Sequence, residues 1–246
     1  MVDAFGDCAA PGDPGLAARL AAVRGRIERA ARRAGRDPAE VTLVAVSKRV
    51  PAALVAEAAA LGQRVFGESY VQEGLGKREE LAGLRLEWHF IGGLQKNKAR
   101  YLPGKMTLVH SVDSFDVARI LHERAAAQDC VQDLLVQVNL AGEAQKAGVS
   151  PEGAAGLAER ILGLAGARLL GLMVLPPFDP DPEASRPYFA RLRGLRARLA
   201  AELGVALPHL SMGMSGDLEP AVEEGATLVR VGTDIFGPRD CGLVPG

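Results

Sequence analysis

Between residues 41 and 232 the sequence repeats one alternation, a short apolar run followed by a longer stretch with helical spacing of its apolar residues. The candidate strands are 41–47, 64–67, 86–92, 107–112, 134–139, 169–175, 207–212 and 227–232. The helical stretches between them are 52–61, 70–81, 96–101, 115–127, 151–164, 182–203 and 218–224. The apolar runs carry few polar residues, as expected for parallel strands covered on both faces. Eight such units within 246 residues predict an α/β fold, a closed (β/α)8 TIM barrel. An open doubly wound sheet is the competing arrangement of the same elements. Residues 16–34 add an extra N-terminal helix, with Leu16, Leu20, Val23 and Ile27 at helical spacing. No shift of composition divides the chain. The expected layout is a flexible tail over 1–15, a barrel over 16–240 and a C-terminal tail over 241–246.

Charge and composition narrow the function. Basic and acidic residues number 29 and 30, a net charge of −1, which argues against a general nucleic-acid or membrane-surface binder. Aromatic residues make up 4% of the chain, too few for base-stacking platforms. No apolar run approaches the roughly 18 residues that span a bilayer. The first fifteen residues lack the basic start and apolar core of a signal peptide. Cys8, Cys130 and Cys241 are an odd count without a C-x-x-C pair, which fits a reducing cytoplasm rather than a disulfide frame or zinc ribbon.

Six of the 29 basic residues are lysines (Lys48, Lys77, Lys96, Lys98, Lys105 and Lys146). Where arginine is the default cation, a lysine inside an apolar segment stands out, because its amine can deprotonate and act as a nucleophile. Lys48 closes the first candidate strand on the face shared by Thr42, Val44 and Val46. It would point into the barrel mouth, where apolar surroundings favour Schiff-base chemistry. The plain alternative is a loop lysine that reaches solvent.

After the seventh and eighth candidate strands come Ser211-Met212-Gly213-Met214-Ser215-Gly216-Asp217 and Arg230-Val231-Gly232-Thr233-Asp234. Both are glycine- and hydroxyl-bearing turns into short helices, and the loops after strands seven and eight of a barrel are where phosphate is commonly held. No Walker-type or Gly-x-Gly-x-x-Gly string occurs. His89 within an apolar strand is expected to be structural, and His110, His122 and His209 lack metal-ligand spacing, so no metal site is expected. Lys96, Lys98 and Arg100 read as a solvated basic face. Glu68 and Glu73 show no evident carboxylate partner for acid–base hydrolysis.

Several strings occur together in order: Ala45-Val46-Ser47-Lys48, Phe66-Gly67-Glu68-Ser69-Tyr70-Val71-Gln72-Glu73, Trp88-His89-Phe90-Ile91-Gly92, Leu94-Gln95-Lys96-Asn97-Lys98 and His110-Ser111-Val112-Asp113. Gln137-Val138-Asn139, Gly171-Leu172-Met173, Leu210-Ser211-Met212-Gly213-Met214-Ser215 and Val229-Arg230-Val231-Gly232-Thr233 follow. Across residues 41–237 the chain thereby resembles the pyridoxal phosphate homeostasis protein family, also called YggS/PROSC. Its members are single-domain barrels similar to the N-terminal domain of alanine racemase. The resemblance implies pyridoxal 5′-phosphate (PLP) held as a Schiff base on Lys48. It also implies phosphate contacts from Ser215, Gly232 and Thr233 with Ser211 and Met214 close by, and Arg230 beside the pyridine nitrogen. For Arg230 an internal salt bridge is the competing role. Two positions depart from the family pattern. Ser69 stands where Asn is usual, with a shorter reach toward the cofactor ring, and Gly93 where His or Pro is common.

The resemblance implies a cytoplasmic monomer that holds PLP, with PLP-dependent apoenzymes as recipients and a role in vitamin B6 and amino-acid balance. Efficient catalysis of its own is not expected. Racemisation needs acid and base groups on opposite faces of the substrate carbon. In alanine racemase one of these is a tyrosine from a second domain, for which the nine residues from Pro238 to Gly246 leave no room. A PLP-dependent racemase and a cofactor-free Schiff-base aldolase remain the alternatives.

Overall fold

The computed structural model describes residues 15–143 and 145–238. Gly15 already begins the first helix, so the rest of the expected N-terminal tail, and all of the C-terminal one, lies outside the described residues. Eight strands form: β1 Thr42–Val46, β2 Val65–Glu68, β3 Glu87–Phe90, β4 Leu108–Val112, β5 Gln132–Val138, β6 Ala167–Val174, β7 His209–Ser211 and β8 Leu228–Val231. They are parallel, lie in sequence order and close on themselves. The seam pairs Thr42, Leu43, Val44 and Ala45 of β1 with Leu228, Val229, Arg230 and Val231 of β8. A doubly wound sheet would leave both edges open, so this pairing decides for the barrel.

Alternation along each strand sends residues to two different cores. Leu43, Ala45, Phe66, Trp88, Val109, Leu134, Leu172, Leu210 and Val229 face outward and pack under the helices. Val44, Leu108, Leu135, Met173 and Leu228 face inward and form a small apolar plug. The covering helices are α2 Ala52–Ala60, α3 Val71–Glu80, α4 Lys96–Ala99, α5 Phe115–Ala126, α6 Ala154–Leu162, α7 Arg186–Leu203 and α8 Leu218–Glu223. A one-turn α9, Thr233–Phe236, follows β8. The extra helix, α1 Gly15–Arg33, buries Leu16, Leu20, Val23 and Ile27 and packs against α8 and α9. Full burial of such side chains contributes about 1.5–3 kcal/mol each. Among the described residues, no helix is long and apolar enough to cross a membrane.

The element ends shift for local reasons. The long stretch expected over 182–203 opens with a 3-10 turn, Pro182–Ser185, and Pro187 then occupies the first turn of α7, where a missing N–H costs nothing. Strand β5 starts earlier than its apolar run, because the Gln132 amide bonds to the Met106 and Asp133 carbonyls at 3.0 Å and hides that polar residue. In β6, Gly171 has φ 154° and a Cβ there would lie 1.9 Å from the His209 carbonyl oxygen, so no larger residue lets β7 close on β6.

Two residues beyond the plug, toward the C-terminal ends of the strands, the barrel interior turns polar. Arg230 donates to Ser211 Oγ at 2.6 Å, Ser211 meets His110 Nδ1 at 2.8 Å, and His110 Nε2 meets His89 Nδ1 at 3.0 Å. Arg230 can only donate, and among the described residues the Ser211 hydroxyl proton has no acceptor other than His110 Nδ1, so the arrangement that satisfies every group has Ser211 donating to His110 and His110 to His89. Both histidines are therefore neutral. Burial agrees, holding His89 down at about 3 and His110 well below its ordinary value.

These shifts set a pH dependence. A histidine lowered in the folded state favours folding fully above its unfolded value near 6.5, and that contribution is lost as pH falls. Between pH 7 and about 5 the pair should lower stability by roughly 4 kcal/mol, since below about 6.5 each of the two protons contributes about 1.4 kcal/mol per pH unit. Urea unfolding at the two pH values measures this, and a double His89→Asn, His110→Asn chain should lose most of the dependence. A flat wild-type profile would show that the pair is not held neutral.

Candidate functional site

The C-terminal ends of the strands surround a cavity of about 800 Å³. Lys48 lies just past β1, on the inward face with Val44 and Val46, and lines the wall as the alternation requires. Ser69 follows β2, Met214 and Ser215 follow β7, Arg230 comes from β8, and Gly232 with Thr233 follow it; all line the same cavity. Ser211, also expected at the site, does not. It is fully buried beneath Arg230.

Arg230 is 4% exposed and makes no ion pair with an acidic side chain among the described residues. Its second hydrogen bond runs to the Val174 carbonyl at 3.0 Å. No internal salt bridge of Arg230 forms among the described residues. Burial lowers the guanidinium to about 10, partly offset by Asp217, so it remains a cation at neutral pH. Of the charged residues on the cavity wall, Lys48, Lys98 and Arg230 are basic and Asp179 and Asp217 acidic. Asp217 turns back to accept the Met214 N–H at 2.7 Å. The remaining field favours an anion.

The turns after β8, the strand next to that of Lys48, and after β7, one strand further round, are held tightly. Gly213 has φ 90°, and a Cβ there would press within 2.5 Å of the Ala221 side chain, so α8 sits tightly under the Met214–Ser215 turn. Arg26 of α1 then ties this turn to the next. It bonds the Ser215 carbonyl at 2.9 Å, Glu219 through Nε at 2.6 Å and Nη2 at 2.8 Å, and Asp234 at 2.6 Å. Glu219 is held below the ordinary carboxylate range, chiefly by that hydrogen bond from Arg26.

Sequence reading missed Arg26, because nothing in a helical Arg/Ala/Leu repeat singles out one arginine. Lys98 is a further difference. It lines the cavity, while its neighbour Lys96 pairs with Asp116 on the surface. The loop after β6 also reaches the mouth, with Leu175, Pro177, Phe178 and Asp179 on the wall and Phe178 93% exposed. Glu68 and Glu73, expected to lack a carboxylate partner for acid–base hydrolysis, share the Lys77 ammonium group and do not line the cavity. His89 proves structural, as expected, within the interior chain.

Comparison with known proteins bears on the whole of this arrangement. A family model described as the N-terminal domain of alanine racemase matches residues 18–240. The pyridoxal phosphate homeostasis protein of Aquifex aeolicus is 50% identical over 221 residues, which is 90% of this chain and 97% of that protein. The protein of the same name from Pseudomonas aeruginosa is 49% identical over 227 residues, covering 92% and 97%. A solved structure of PipY from Synechococcus elongatus, described as having PLP bound, superposes with a TM-score of 0.80 at 38% identity, covering 91% of this chain and 100% of that one. With a closed barrel of matching topology and near-full-length identity at this level, the chain belongs to the pyridoxal phosphate homeostasis protein family.

Proposed function

We propose that this chain binds PLP as a Schiff base on Lys48 and holds it rather than using it, acting in intracellular PLP homeostasis and amino-acid balance. The observation that carries the reading is one cavity in which a lysine on β1 and a buried cation on β8 stand on paired strands, with two hydroxyl-bearing turns beside them. PLP supplies an aldehyde that a neutral amine captures. The residues fit that group. Lys48 supplies the amine, and the Ser215 and Thr233 hydroxyls with the backbone at Gly232 suit a phosphate. Ser69 and Met214 stand at the remaining edge. Ser211 acts through Arg230, fixing its guanidinium from below.

Arg230 favours holding, alongside the expected lack of a second acid–base group. Beside the pyridine nitrogen, the place that the resemblance gives Arg230, a cation would disfavour protonation and so weaken the ring as an electron sink. The cavity volume lies in the usual range for a small-molecule site. On this reading the protein is a cytoplasmic monomer whose recipients are PLP-dependent apoenzymes.

Three measurements test the reading. Protein loaded with PLP and reduced with borohydride should carry the pyridoxyl group on Lys48, and Lys48→Arg should take none. Label at Lys98 or Lys146 would overturn the assignment, and a chain that forms a borohydride-trapped link with a sugar phosphate but none with PLP would favour the aldolase. Pyridoxal should bind at least about tenfold more weakly than PLP, because charge-assisted hydrogen bonds of about 1.5–3 kcal/mol each are lost. Equal affinities would remove the two turns from the phosphate role. Incubation with L-alanine and other L-amino acids, followed by chiral chromatography, should show negligible D-isomer. Turnover in the range of about 1–1,000 per second would restore the racemase.

A further inference from the structure

Behind the strand that carries Lys48, on the helix side of the sheet, lies a buried ionic cluster that does not reach the cavity. Lys77 of α3 is 7% exposed, and its ammonium group donates to the Ser47 carbonyl at 2.5 Å, to Glu68 Oε1 at 2.9 Å and to Glu73 Oε1 at 2.6 Å. Glu68, fully buried at the end of β2, also accepts the Ser47 hydroxyl at 2.7 Å. Glu73 Oε1 accepts the Arg49 N–H at 2.5 Å. Arg49 has φ 59°, a left-handed conformation that a residue with a side chain adopts only when its surroundings impose it.

These contacts have one common target. The Ser47 carbonyl belongs to the peptide group before Lys48, and the Arg49 N–H to the peptide group after it. Both groups that bracket the Lys48 Cα are gripped from outside the barrel by residues of one short segment. A lysine side chain has four rotatable bonds and cannot be fixed along its length without blocking its amine. Anchoring the backbone from behind restricts where that amine can go and leaves its face of the cavity clear. Lys77 itself uses all three N–H groups on acceptors, so it offers no lone pair to an aldehyde.

We propose that Lys77, with Glu68 and Glu73, forms a positioning cluster for Lys48, setting the backbone from which its amine reaches a bound aldehyde. The proposal rests on the reading of Lys48 as the Schiff-base lysine. In that step the Lys48 nitrogen bonds to the aldehyde carbon, and the aldehyde oxygen leaves as water with the two amine hydrogens. No oxidant or reductant is involved.

Pyridoxine 5′-phosphate separates positioning from general stability, because it carries the same ring and phosphate with an alcohol in place of the aldehyde. In Lys77→Met, its affinity should stay within about twofold of wild type, the usual scale for sites without shared contacts. PLP affinity and the rate of Schiff-base formation should each fall about tenfold or more, the scale expected when a reacting group is misplaced by a fraction of an ångström. Glu73→Ala, a milder change at a half-buried side chain, keeps the test available if Lys77→Met does not fold. It should show the same split in smaller measure, and Glu73→Gln, which retains an oxygen for the Arg49 amide, should recover it. Equal losses for both ligands, or none for either, overturn the positioning role. If instead wild-type protein binds PLP no better than pyridoxine 5′-phosphate and takes no borohydride label at Lys48, the Schiff-base reading falls first and takes this one with it.

Discussion

The seam between β1 and β8 is the contact on which the rest depends. Val44 stands opposite Arg230 there, and the inward face continues along β1 to Lys48. The two side chains come from opposite ends of the sequence, yet parallel pairing of their strands places both on one wall. Opening the seam would expose two unpaired edges and also separate the lysine from the cation. Closure and site assembly are one event.

Inside the closed barrel, apolar and polar layers divide the work. The plug of Val44, Leu108, Leu135, Met173 and Leu228 excludes water from the lower interior. Above it, the chain from Arg230 through Ser211 and His110 to His89 satisfies polar groups that the same burial would otherwise leave stranded. Arg230 can only donate, and the Ser211 proton finds its acceptor in His110 among the described residues, which gives the chain one direction. Burial keeps the two histidines neutral, and the cation at the head of the chain also lines the cavity.

Outside the barrel, two ionic devices approach the site from behind. Arg26 links the turns after β7 and β8 to α1, and the Lys77 cluster links the β1 end to α3. The Arg26 pairs are a quarter to a third exposed, so their contribution is geometric more than energetic. The Lys77 group is buried, and Glu68 keeps one oxygen without a partner among the described residues. Burial pushes the Glu68 carboxyl up, against the opposing pull of Lys77. Such a cluster costs desolvation, which its hold on the Lys48 backbone would explain.

Local pattern alone was enough for the eight strands, the extra helix and the inward direction of Lys48. Each is a consequence of side-chain period, which is read within a few residues. Strand ends were legible only roughly: β5 begins at Gln132 because a distant carbonyl receives its amide, and no apolar pattern marks that. Lys48, Arg230 and the glycine-rich turns could be named because their residue types carry chemistry wherever they stand. The burial of Ser211 beneath Arg230, the bridge made by Arg26, the pairing of Glu68 and Glu73 through Lys77, and the turn of Lys98 into the cavity were decided by tertiary structure. The Arg26 bridge joins residues 189 apart in the chain and leaves no trace in local spacing. Glu73 and Lys77 do stand at i,i+4, but such a spacing is common on exposed helix faces, and only the packing of α3 behind β1 and β2 buries it.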